Sequence, residues 1–128
     1  MASRNYIDNI AKTITESDYR PRVKYLPTPT NSNQAFMVNT LDPDGGPDGL
    51  NDMFVVELKN GVVDTYCPSF SELGYPDVHG FNDLQHFFTW FEKMIMMGLG
   101  GMMDEDDSTG PHSALAATVG SNYLKRKQ

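Results

Sequence analysis

A chain of 128 residues fits one domain with a core of its own, and its single cysteine, Cys67, excludes an internal disulfide framework and any multi-cysteine zinc site. The formal net charge of −7 is unevenly spread: residues 1–24 hold five basic and three acidic groups, residues 25–124 hold fourteen acids against Lys59 and Lys93, and the last four residues add three positive charges from Lys125, Arg126 and Lys127. An acidic body flanked by basic ends disfavours nucleic acid and favours a protein partner, either a basic foreign surface or a second copy of the chain.

The opening Met-Ala-Ser-Arg-Asn-Tyr offers no apolar stretch for a signal peptide, and no later run is long enough to span a bilayer. The expected setting is therefore the cytoplasm or a virion assembled there, with no membrane partner. Asn5 can cap a first helix running to residue 16, in which Tyr6, Ile7, Ile10, Ala11 and Ile14 recur at helical spacing. Pro21, Pro27 and Pro29 then permit only extended or edge-strand chain around Val23 to Leu26, and residues 34–41 read as a firmer strand. The segment Asp42-Pro-Asp-Gly-Gly-Pro-Asp-Gly must be a long turn.

Residues 53–59 and 62–67 alternate as paired strands, and Asn60-Gly61 between them suits a two-residue type I′ turn. That turn predicts opposed residue numbers summing to 121, so Phe54, Val56, Leu58, Val63 and Cys67 share the core face. Glu57 and Asp64 then stand opposite each other on the outer face, a like-charge pair that a cation or a partner would have to neutralise. After a turn-rich stretch from Pro68 to Gly80, Asn82 opens the strongest helix, with Gln85 completing a capping box and Leu84, Phe87, Phe88, Phe91 and Ile95 forming its buried stripe; Gly98 and Leu99 stop it. Trp90, Met96 and Met97 fall outside that stripe. Either this helix is sandwiched in the core, or these three residues face a partner.

Residues 101–128 begin with Gly, Met and the run Asp104-Glu-Asp-Asp107 and end in a basic tetrapeptide. They read as a tail or docking arm with one helical stretch from Ser113 to Lys125, dispensable for the fold of residues 1–100. The predicted architecture is α+β: a small antiparallel sheet of three to four strands packed against an N-terminal and a C-terminal helix.

One constellation points to catalysis. On a strand Glu57 and Lys59 would share a side, and Asp48 brought alongside would complete two carboxylates for Mg²⁺ with a lysine to position water. The wording Pro-Asp-Gly-Leu, then Glu-Leu-Lys behind Phe-Val-Val, with Gln85 on the following helix, resembles the PD-(D/E)xK nucleases, particularly their lambda-exonuclease-like branch. That resemblance implies phosphodiester hydrolysis at Asp48, Glu57, Lys59 and Gln85. It covers about a dozen residues, and no strand is predicted after the second helix, where that fold continues its sheet.

Asp42, Asp44 and Asp48 lack the calcium-loop spacing, since the twelfth residue from Asp42 is Met53. His79, His86 and His112 show no ligand spacing with Cys67, and Ser69, Ser71 and Ser113 lie in no nucleophile elbow. No metal or cofactor is expected. The reading that absorbs most of the chain is a noncatalytic interaction protein, either a homo-oligomeric structural or assembly subunit of viral type or a small inhibitor docking on a basic surface. Its partner-binding residues would be Trp90, Met96, Met97, Lys125, Arg126 and Lys127.

Overall fold

The computed structural model describes residues 21–40, 52–72, 74, 76–97 and 115–127. Five strands form one antiparallel sheet in the order of the sequence: β1 (Pro21–Leu26), β2 (Ser32–Thr40), β3 (Met53–Leu58), β4 (Val63–Tyr66) and β5 (Val78–Phe81). The helices among the described residues are α1 (Pro68–Glu72), α2 (Leu84–Met97) and α3 (Leu115–Lys127). The class is α+β as predicted, but with five strands rather than three or four. The fifth strand and α1 come from the stretch expected to be turns, where Pro68 occupies a first helical position that needs no N–H donor. The predicted helix over residues 5–16 and the loop after Asp42 lie outside the described residues.

β1 is an edge strand, as its prolines require, and it pairs with β2 from Pro21↔Thr40 to Leu26↔Ala35. Their turn is closed by Ser32, whose amide and hydroxyl both donate to the Pro29 carbonyl at 3.3 and 2.7 Å, with Asn31 at a φ of 65°. Asn tolerates that left-handed geometry better than most residues. β2 carries one extra residue against β3, Asn33, whose side-chain amide donates to the Leu58 carbonyl at 3.1 Å.

The β3–β4 hairpin departs from the expected turn by one residue. The Gly61 amide donates to the Leu58 carbonyl at 2.9 Å and the Leu58 amide to Val62 at 2.8 Å, so the loop is Lys59, Asn60 and Gly61. Only Gly61, at 90°, has positive φ, which makes a three-residue loop with a glycine bulge in place of type I′. The Asn60 side chain takes the Val62 amide at 3.1 Å, a local bond that favours this longer loop. Opposed numbers therefore sum to 120: Phe54 faces Tyr66, Val56 faces Asp64, and Glu57 faces Val63. The predicted Glu57/Asp64 pair does not form, because the two carboxylates lie on opposite faces of the sheet.

Both faces are covered, which explains why Met53, Phe54, Val55, Val56 and Glu57 are buried in succession instead of alternately. On one face Phe36, Val38, Met53, Val55 and Val63 pack with Phe70, Phe81 and the α2 residues Leu84, Phe87, Phe88, Trp90 and Phe91. On the other, Leu26, Ala35, Met37, Phe54 and Val56 pack under α3, against Leu115, Ala116, Val119, Tyr123 and Leu124. The helical stretch expected in the C-terminal tail or docking arm forms as Leu115–Lys127 and docks on the chain's own sheet. The core face predicted from the hairpin is split accordingly: Phe54, Val56 and Leu58 turn to α3, Val63 and Cys67 to α2.

The starts of α2 and α3 are set by aspartates. Asp83, one residue later than the predicted Asn82, caps α2 by accepting the His86 amide at 2.8 Å, which leaves Gln85 exposed and outside any capping box. α3 is capped across the layers: Asp64 on β4, fully buried, accepts the Ala116 amide at 3.0 Å.

Candidate functional site

The residues of the nuclease-like constellation are not brought into one site. Glu57 is only 4% exposed and accepts a hydrogen bond from the Gln34 side-chain amide at 3.2 Å. Lys59 is exposed and sits in the turn beyond the strand, so the side shared by alternate strand residues does not extend to it. Gln85 is exposed in the first turn of α2, and Asp48 lies outside the described residues. After α2 the next described element is a helix, so the described sheet is not continued there. Among the described residues no three His, Cys, Asp or Glu side chains gather closely enough to hold a metal ion.

The other titratable groups of the α2 face are packed into the core. His79 is 7% exposed between the rings of Phe70 and Trp90, with centroids at 5.9 and 5.4 Å. Cys67 is buried with its Sγ 3.3 Å from the Ser69 hydroxyl. A shallow groove of about 460 Å³ runs between the two hairpin turns and the start of α3, lined by Thr30, Asn31, Leu58, Lys59, Asn60 and Leu115. Its lining pairs one exposed ammonium with amides and a hydroxyl, and no carboxylate is among the described residues that line it.

Of the predicted partner-binding residues, Trp90 must be corrected. It is 2% exposed, enclosed by Phe81, His79, Phe70 and Phe87 at centroid distances of 5.2 to 6.4 Å, because α1 and β5 wrap the flank of α2 that a narrow apolar stripe left open. Met96 and Met97 occupy the last turn of α2, where the described side chains have already ended. Lys125 is exposed near the end of α3, with Arg126 and Lys127 following on the same helix.

These basic residues join others that are distant in sequence. Lys24 on β1 donates to the Tyr123 hydroxyl of α3 at 3.2 Å, with its ammonium 5.3 Å from the ring centre. That contact places the basic end of α3 against the strand holding Arg22 and Lys24. β1, β2 and α3 together carry Arg22, Lys24, Lys125, Arg126 and Lys127 and not one acid. At the opposite side, the segment from α1 through α2 carries Glu72, Asp77, Asp83 and Glu92 against Lys93 alone.

The described residues are therefore neutral in sum, seven basic and seven acidic, and polarised from the β1 edge to the β5 edge. The surplus of seven negative charges in the whole chain belongs to the remaining residues, so it is the described part of the molecule that is bipolar. Sequence alone separates Lys24 from Lys125 by 101 positions; only the packing of α3 on the sheet brings them together.

Compared with protein-family models, with curated proteins and with solved structures, the chain matches none. No helix among the described residues is long and apolar enough to cross a membrane.

Proposed function

We propose that this chain is a noncatalytic protein-interaction protein, working as a homo-oligomeric structural or assembly subunit or by docking on a basic foreign surface. The observation that carries this reading is the segregation of charge: five basic residues without an acid on β1, β2 and α3, and an acidic excess on the α1–β5–α2 side. Such separation gives a surface two patches of opposite sign, which steer association and set its orientation. A stable fold of this size has no need of it.

The catalytic alternative draws no comparable support, since Glu57 is committed to Gln34 inside the sheet and Lys59 points from a turn. Two measurements test the reading. Sizing of the full chain across protein and salt concentrations should reveal an oligomer that dissociates as salt rises, or a monomer that captures a basic protein partner. Incubation with DNA or RNA and Mg²⁺ should give no cleavage. Cleavage lost in both Asp48→Ala and Glu57→Ala would replace the interaction reading with the nuclease.

A further inference from the structure

From the placement of its charges we infer that copies of this chain associate head to tail, the basic corner formed by β1 and the end of α3 meeting the acidic β5–α2 side of the next copy. This rests on the self-associating form of the proposed function and locates the contact that form requires.

The corner is a physical unit, because Lys24 and Tyr123 hold β1 and α3 together at 3.2 Å. Lys24 and Lys125 are both exposed there, and Arg22, Arg126 and Lys127 share the same two elements. The acidic counterpart has Asp83 and Glu92 exposed and Asp77 half-buried. A two-fold contact centred on the corner would set basic against basic. One that paired corner with side reciprocally would need both patches on one face, whereas α3 and α2 cover opposite faces of the sheet. The complementary arrangement pairs different surfaces, and a contact between different surfaces propagates into a ring or a filament instead of stopping at a dimer. The two patches lie toward opposite edges of one five-stranded sheet, so both can be occupied on the same copy at once.

The test is a charge exchange in the full chain. Lys24→Glu/Lys125→Glu/Lys127→Glu leaves the corner two basic groups against three acids and so makes it negative, and Asp77→Lys/Glu92→Lys leaves the opposite side three basic groups against two acids and so makes it basic. Each variant alone should be monomeric under conditions where the native chain associates, with self-affinity reduced by at least about tenfold through like-charge contact. An equimolar mixture should recover the native assembly, since each corner again meets a side of opposite sign. That recovery also excludes misfolding as the cause of the loss. Lys59→Glu, on the central hairpin, should leave association unchanged.

In addition, substoichiometric Lys24→Glu/Lys125→Glu/Lys127→Glu should shorten native assemblies, because such a copy can receive a neighbour but cannot reach the next. An oligomer indifferent to both reversals, or one equally weakened by Lys59→Glu, overturns the head-to-tail contact and leaves self-association standing. A native chain that stays monomeric at every salt and concentration overturns both.

Discussion

Gly120 lies on the face of α3 that meets the sheet. A Cβ built on it would stand 2.6 Å from ring carbons of both Phe54 and Tyr66, inside van der Waals contact. In an exposed helix Gly→Ala would gain about 1 kcal/mol of helix propensity. Here overpacking opposes that gain at about 1–3 kcal/mol, and both rings are held in their own contacts, Phe54 against Tyr66 and Tyr123 at 6.2 and 5.6 Å. Gly120→Ala should therefore destabilise the protein, and a rise in the urea midpoint would show that α3 does not seat on these rings.

Asp64 makes a second prediction at the same scale. Its carboxylate is buried and takes the Ala116 amide, an interaction of about 1.5–3 kcal/mol when the acceptor is charged. Asp64→Ala should lower stability by about that much and speed amide exchange in α3 more than in α2. Asp64→Asn keeps an acceptor and should recover part of the loss. Equal exchange in the two helices would deny the cap its role.

Among the elements, α3 is the one whose stability is least its own. Thr118, Val119, Gly120, Ser121 and Asn122 are five consecutive weak helix formers, so the segment holds its shape through what it covers. It covers Met37, Phe54 and Val56, each worth about 1.5–3 kcal/mol when fully buried. A whole domain retains only about 5–15 kcal/mol, so ending the chain before Leu115 should abolish cooperative unfolding and cause aggregation. A truncated protein as stable as the full chain would restore the view of this segment as a dispensable arm.

The hairpin, the edge character of β1 and the apolar stripe of α2 were legible in the sequence because each is encoded by neighbours, through alternation, prolines and helical spacing. The hairpin register was misread by one residue because Asn60-Gly61 serves two loop lengths equally well, and the Asn60 side chain favours the longer. The burial of Trp90, the role of Asp64 and the cover provided by α3 depend on residues fifty positions away or more, or on a strand too short to announce itself. The polarity of the charges was illegible for the same reason: counting along the chain groups Lys24 with the N-terminus and Lys125 with the C-terminus, and only the sheet makes them one corner.

At the scale of the whole molecule, a net charge of −7 coexists with that basic corner, and ionic strength decides which of them a large charged surface senses. The screening length is about 30 Å at 0.01 M and about 10 Å at 0.1 M. At the lower concentration a sulfonate resin interacts with the entire chain and repels it. Near the higher one the acids of the β5–α2 side are screened while Lys24, Lys125 and their neighbours still act across the contact. At about 1 M, with screening at about 3 Å, the corner is silenced as well. Retention on a cation exchanger at neutral pH should thus pass through a maximum near about 0.1 M salt instead of falling steadily, an unusual profile for an acidic protein. Lys24→Glu/Lys125→Glu should flatten that maximum, whereas Lys59→Glu should only lower it slightly. Passage through the column unretained at all three concentrations would mean that the acidic surplus outside the described residues masks the corner, and with it the polarity on which the interaction reading depends.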